Sequence, residues 1–157
     1  MVSVKFDFKQ IVVFKLAGET FGVSVQSIDE VVLMMKVEKV PLAPEFLEGF
    51  IRLRGESVAV VDLRRYFGHP KESDSYETKI LVTRVGDRKI GFIVDSVSDV
   101  SSLAEDSTEQ PIIQTAKTRF LCGVTHGVDG RTIQLLAMDQ ILDAESLGQL
   151  KMAIFDA

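Results

Sequence analysis

The side chains best equipped for covalent or acid–base chemistry in this sequence are one thiol, Cys122, and two imidazoles, His69 and His126. Neither histidine falls in a His/Cys pattern with metal-ligand spacing. His69 lies in Gly68-His69-Pro70, a surface turn, and His126 ends a strand beside a hairpin, so both read as ordinary surface residues. Cys122 sits inside the apolar run Phe120-Leu121-Cys122-Gly123-Val124. A reactive thiol needs an electropositive setting, so an inert, buried thiol is the better reading. Asp62 and Asp95 each follow a strand and serve as caps or turn formers, since no third group completes an acid–base constellation. There is no phosphate-binding loop, no Gly-rich dinucleotide motif and no Gly-x-Ser-x-Gly. No cofactor or metal is therefore expected, and no catalysis.

The chemistry that remains is electrostatic recognition. Arg52, Arg54, Arg64 and Arg65 form a local basic cluster. A guanidinium offers a planar fork of donors that matches a carboxylate or helix-end carbonyls, which an ammonium cannot reproduce. Glu30 is a candidate partner for Arg54. The sequence leaves open whether the two touch or are separate surface charges.

These residues must be held by short β-strands. Gln10–Leu16 and Phe21–Val25 flank Ala17-Gly18-Glu19-Thr20, and Gly49–Leu53 and Ser57–Asp62 flank Arg54-Gly55-Glu56. Thr78–Val85 and Lys89–Val94 flank Gly86-Asp87-Arg88, and Phe120–His126 and Arg131–Ala137 flank Gly127-Val128-Asp129-Gly130. Each pair reads as a hairpin, because the turn residues tolerate positive φ. On Gly49–Leu53, alternation puts Ile51 and Leu53 on one face and Phe50 and Arg52 on the other. Residues 24–32 have helical spacing at Val25, Ile28 and Val32, and Leu63–Phe67 suits a single turn stopped by Gly68 and Pro70. The spacing of Ile141, Leu142, Leu147 and Leu150 predicts a C-terminal helix over about residues 139–155, with Asp139 as its cap. Residues 71–77 and 101–118 read as loops.

The strands repeat. Ile11–Val31 lies without a gap on Ile80–Val100: Ile11 meets Ile80, Gly22 meets Gly91, Val25 meets Val94, and Glu30 meets Asp99. Phe46-Leu47-x-Gly49 likewise matches Phe120-Leu121-x-Gly123. Two matches in the same order point to an internal duplication. The expectation is one domain over residues 1–157 made of two β units, about 10–68 and 78–138, each of about five strands. Closing such units into barrels removes their exposed edges.

Composition sets the outer limits. A 157-residue chain buries enough surface to need no metal or disulfide staple. Its net charge of −5 disfavours nucleic acid as a partner. The lone cysteine fits a reducing compartment. No apolar run reaches the length of a membrane helix and no signal peptide is apparent, so the chain is expected in the cytoplasm without direct membrane insertion.

Over about residues 10–145 the sequence resembles the chemotaxis coupling protein CheW and its relatives. The blocks that carry the likeness are Phe21-Gly22-Val23 with Ile28-Asp29-Glu30-Val31, Phe46-Leu47-Glu48-Gly49-Phe50-Ile51-Arg52-Leu53-Arg54-Gly55, Val58-Ala59-Val60-Val61-Asp62-Leu63-Arg64, and Gly91-Phe92-Ile93-Val94-Asp95-Ser96-Val97-Ser98-Asp99-Val100. A last block is Phe120-Leu121-Cys122-Gly123-Val124 with Gly130-Arg131-Thr132-Ile133. The resemblance implies an all-β fold of two packed five-stranded SH3-like β-barrels with a C-terminal helix. It also implies a non-enzymatic adaptor that bridges the cytoplasmic tip of a methyl-accepting chemoreceptor to the regulatory domain of the histidine kinase CheA. That kinase domain has the same fold, so adaptor and kinase can alternate in rings within arrays beneath the inner membrane.

By the same resemblance, a receptor groove between the barrels would be lined by Ile28, Glu30, Gly49, Arg54 and Val100. Val37 and Ile80 are candidate kinase contacts. The sequence departs from the family pattern at three places. The usual Asn-Leu-Arg-Gly is Arg52-Leu53-Arg54-Gly55, a common Pro is Ala59, and residues 101–118 align poorly. These departures leave open a CheW-like paralogue serving a pilus or other non-flagellar chemosensory pathway.

Overall fold

Strands whose residues are apolar at nearly every position, rather than at every second one, need cover on both faces. The fold supplies it. The computed structural model describes residues 9–70, 73–103, 108–109, 120–127 and 130–151. Its strands are β1 (Gln10–Leu16), β2 (Glu19–Ser24), β3 (Ile28–Leu33), β4 (Leu47–Leu53), β5 (Glu56–Asp62), β6 (Lys79–Val85), β7 (Arg88–Val94), β8 (Ser96–Ser102), β9 (Leu121–His126) and β10 (Thr132–Leu136). They form two five-stranded sheets, ordered β8-β1-β2-β10-β9 and β3-β6-β7-β5-β4, each curled into an SH3-like barrel.

All four expected hairpins are present as antiparallel pairs. In two of them both turn residues are left-handed, Ala17 at φ 51° with Gly18 at 81° and Arg54 at 51° with Gly55 at 82°. That is the type I′ pattern, whose twist matches the strands it joins.

The sheets do not follow the order of the chain. The hairpin β1–β2 pairs with β8 and, in parallel, with β10. The equivalent hairpin β6–β7 pairs with β3 and, in parallel, with β5. Each barrel therefore takes two strands from one half of the sequence and three from the other.

Burial explains the continuous apolar runs. Ile11 and Val13 point into the first barrel with Ile133 and Leu135, and Ile51, Val58, Val60, Ile80, Val82 and Ile93 fill the second. The alternate residues Val12, Phe14 and Leu16 meet Val61, Leu81, Phe92 and Val94 in a third and larger cluster between the barrels. Aromatic rings extend this layer, with Phe14 stacked on Phe21 at 5.7 Å and Phe67 on Phe120 at 5.5 Å. Gly22 and Gly91 recur in the repeat for a packing reason: a Cβ on either would lie within 2.9 Å or 2.6 Å of Ile11 Cδ1 or Ile80 Cγ2 respectively.

Three local expectations change. Residues 24–32 are not helical: Val25–Ser27 is a single 3-10 turn capped by the Ser24 hydroxyl, and β3 follows. The β-branched Val31 and Val32 find a ladder with β6, which outweighs the helical spacing. Residues 101 and 102 of the expected loop are instead strand, because β8 runs to Ser102 alongside β1, and residues 104–107 and 110–118 lie outside the described residues. The C-terminal helix α2 spans Ala144–Leu150 and is capped by Asp143, whose Oδ1 accepts from Ser146 N at 2.7 Å; residues 152–155 of the expected helix lie outside the described residues. Asp139 lies in a separate 3-10 turn, Met138–Gln140, so it is not the cap. The expected turn at Leu63–Phe67 is a short helix, α1 (Leu63–Tyr66), capped by Asp62. Among the described residues no helix is long and apolar enough to cross a membrane.

Candidate functional site

Arg54 occupies the first turn position of the β4–β5 hairpin, where φ is positive and Gly or Asn is the usual choice. A bulky residue in that region is strained, and strain of this kind collects where a side chain must be aimed. The guanidinium is turned onto β3. Its Nε donates to Glu30 Oε1 and its Nη2 to Glu30 Oε2, both at 3.1 Å. The pair left open by the sequence is therefore a two-point contact. Arg54 is 72% exposed and Glu30 23%, so the carboxylate lies beneath and the guanidinium faces solvent. The hydrogen bond from Arg54 holds the Glu30 carboxyl below the usual range, with the charges of Arg54 and Lys89 adding to it. The same contact raises the Arg54 guanidinium further.

The other groove residues are placed differently. Ile28 opens β3 and packs, partly buried, on the layer between the barrels. Val100 lies on β8, the edge strand of the other barrel, and is 57% exposed. Its repeat counterpart Val31 is also exposed on an edge strand, β3. Gly49 is buried, and the close approach it permits is made by the chain itself. Glu38 and Phe50 exchange backbone hydrogen bonds of 2.8 and 2.9 Å across β4, closing the barrel edge. With φ at 147°, a Cβ on Gly49 would fall 1.9 Å from Glu38 O. The missing side chain of Gly49 thus has a structural reason within the chain itself. Gly123 repeats the arrangement beneath Glu109, which bridges Val124. Val37 packs, partly buried, against the core of the second barrel over Gly49. Ile80 is 0% exposed inside that barrel, so its side chain cannot be a kinase contact. Period-two alternation puts Ile80 on the barrel's inner face with Val82.

Sequence reasoning missed two charge networks. At the Arg54 end of the second barrel, Lys89 Nζ lies 3.4 Å from Glu56 Oε2 and 3.8 Å from Asp29 Oδ2, and Arg84 Nη2 lies 3.8 Å from Asp29. The signal available was opposite charge at strand ends that share one end of a sheet. The second network is buried. Arg64, 3% exposed, donates to Asp62, Asp74 and Asp95. Burial alone would weaken its proton affinity, but hydrogen bonds with Asp62 and Asp74 and the charge of Asp95 raise it above the ordinary arginine value. Asp95 Oδ2 also accepts from Ala17 N at 2.8 Å, so the network ties α1 of one barrel to the β1–β2 turn of the other. Asp62 and Asp95 are thus the cap and turn ligands expected of them, joined through a cation. A cavity of about 250 Å³ beside them is lined by Ala17, Gly18, Arg64, His69, Pro70 and Asp95.

Cys122 is half-buried, its thiol donating to Phe120 O at 3.7 Å. Burial, with the nearby Asp139 charge, pushes it up to about 11. Among the described residues no group of three His, Cys, Asp or Glu side chains could hold a metal ion.

With this geometry in place, comparison with known proteins is decisive. The family model of the CheW-like domain matches residues 10–146. The chain belongs to the CheW-like family. It is 30% identical to the chemotaxis protein CheW of Klebsiella aerogenes over 88% of this chain and 84% of that protein. It is 30% identical to the chemotaxis protein CheW of Bacillus subtilis over 88% of this chain and 89% of that one. The crystal structure of the scaffolding protein CheW from Thermoanaerobacter tengcongensis superposes with a TM-score of 0.78 at 34% identity, covering 88% of this chain and 94% of that one. The chemotaxis scaffold class and the two-barrel fold follow from this membership.

Proposed function

We propose that this CheW-like chain is a non-catalytic adaptor that holds the cytoplasmic tip of a chemoreceptor against the regulatory domain of the histidine kinase CheA, on the cytoplasmic face of a receptor array. The observation that carries the reading is the aimed, solvent-facing guanidinium of Arg54, fixed in a strained turn by Glu30. A side chain with only a solvating role gains nothing from that geometry. Ile28 flanks it on β3, and Val100 offers an apolar contact on the other barrel. Val37, at the surface strap over Gly49, remains the candidate kinase contact. Family likeness supports the partners' classes, and the net charge of −5 suits protein rather than nucleic acid.

The test is a reconstituted receptor–kinase assay with Arg54→Ala and Arg54→Gly. Glycine suits the left-handed turn, so it removes the guanidinium without disturbing the hairpin. Both variants should lose receptor-coupled kinase activation while binding the kinase and melting like the parent chain. Full activation by either would remove Arg54 from the site.

A further inference from the structure

The chain passes from the first barrel to the second between β2 and β3, through the turn Val25–Ser27, and returns between β7 and β8, through Asp95. The duplication makes these crossovers equivalent: laying Ile11–Val31 on Ile80–Val100 puts Gln26 on Asp95. They are not held alike. The main-chain N–H of Asp95 donates to Lys15 O at 3.0 Å, and its Oδ2 accepts from Ala17 N at 2.8 Å, both on the first barrel. Its Oδ1 accepts from Arg64 Nη1 at 3.2 Å, and Arg64 is bound to Asp62 on the second barrel. One residue thus fastens both barrels at the point where the chain crosses.

The equivalent fastening cannot form at the other crossover. Gly22 and Gly91 are repeat counterparts, paired in parallel with Leu135 of β10 and Val60 of β5 respectively. Counting on from these two places Asp139 where Arg64 stands. An acid there has no cation to offer, and among the described residues its buried Oδ1 has no hydrogen-bond partner. Gln26 is exposed, with its main-chain N–H taken by Ser24 Oγ inside the turn. Ser27 O accepts the Thr83 hydroxyl of the barrel the chain is entering. The layer between the barrels is apolar, and apolar contact resists separation without setting a direction. A buried charge pair with fixed hydrogen bonds supplies the direction.

We propose that the two crossovers form an asymmetric joint. Asp95, held by Arg64 and Ala17, is the fixed pivot that sets the angle between the barrels, and Val25–Ser27 is the side that yields. β3, with Ile28 and Glu30, starts at the yielding side, and β8, with Val100, starts at the fixed one. The joint therefore sets the separation of these two edge strands. Its consequence for partner binding rests on the adaptor reading above; the joint itself does not.

The joint is tested on the full chain without a partner. Spin labels at Asp87→Cys in the β6–β7 turn and Thr132→Cys at the start of β10, in a Cys122→Ser background, report the distance between barrels by pulsed electron paramagnetic resonance. Asp95→Ala should widen the distance distribution, and the Ala17 amide should lose its exchange protection. Asp95→Asn keeps an acceptor for Ala17 but not the charge facing Arg64, so it should widen the distribution less. Gln26→Ala should match the parent. Gln26→Asp combined with Asp139→Arg installs the missing pair and should narrow the distribution. If Asp95→Ala does not fold, Asp95→Asn decides. A folded Asp95 variant as narrow as the parent, or equal widening in Gln26→Ala, would overturn the pivot. A folded Gln26→Asp, Asp139→Arg chain of parental width would overturn the yielding side. Binding to a vesicle-assembled receptor cytoplasmic fragment is then measured. Asp95→Ala should bind about threefold more weakly, as for a chain that keeps the competent angle about a third of the time. Widening with unchanged binding would leave the joint standing and overturn its link to the groove.

Discussion

Replacing Gly49 with alanine should unfasten one barrel edge, and the cost can be worked from the contacts around it. The new Cβ would lie 1.9 Å from Glu38 O and 2.9 Å from its carbonyl carbon, both main-chain atoms that cannot rotate away. The strap must therefore lift. Lifting breaks the Glu38–Phe50 pair of backbone hydrogen bonds, about 1–3 kcal/mol net for two. Holding a non-glycine residue at φ 147° adds about 1–3 kcal/mol. A total of about 2–6 kcal/mol should lower the melting temperature by roughly 6–18 °C, at about 3 °C per kcal/mol for a chain of this size. Thermal melts followed by circular dichroism give the magnitude, and amide exchange gives the place. Protection should be lost first at the Glu38 and Phe50 amides. Gly123→Ala should cost less, since Gly123 is not at positive φ and its nearest neighbour is a side-chain methyl of Thr108. A Gly49→Ala chain that melts within about 2 °C of the parent, no more than the shift expected for 1 kcal/mol, with Glu38 still protected, would refute this reasoning and return Gly49 to the role of partner contact.

Other outcomes follow from the same structure. Arg64→Met should destabilise by about 3 kcal/mol, because it leaves Asp62 buried without its cation, whereas Arg64→Lys should recover part of the loss; urea unfolding at neutral pH measures both. Cys122, with its thiol pushed up to about 11, should react with iodoacetamide at pH 8 on the order of a hundredfold more slowly than a free thiol, and the rate should climb as pH approaches that value. Residues 1–76 and 77–157 expressed separately should not give cooperatively folded monomers, because each fragment lacks strands its sheets require; two independent, sharp melts would contradict this.

Much of this architecture was legible because turn chemistry is local. Ala17-Gly18 and Arg54-Gly55 announce hairpins whichever strands lie beside them, and the gapless match of Ile11–Val31 on Ile80–Val100 announces a duplication. What local pattern cannot carry is which strands meet. The pairing of β1 with β8 depends on residues far apart in the chain, and nothing in the sequence of either half says that the hairpins are exchanged. β3 was misread for a related reason: its half-buried alternation falls on Val31 and Val32 beside Val25 and Ile28, so helical and extended periods fit the same residues. At the site, Glu30 and Arg54 could be nominated but not joined. Lys89 went unnoticed because its partners, Asp29 and Glu56, come from two other strands.

The exchanged hairpins also impose an order on synthesis. As the chain leaves the ribosome, β1 and β2 emerge first, yet the strands that flank them, β8 and β10, are among the last. The second barrel has all its strands once Val94 is out, while the first must wait until Leu136. Through that interval the opening hairpin carries Ile11 and Val13 without Ile133 and Leu135, which finally cover them. The nascent barrels are thus most exposed to misassociation at this hairpin, and factors that shield nascent apolar segments would act there, on strands made before their barrel partners and enclosed after them.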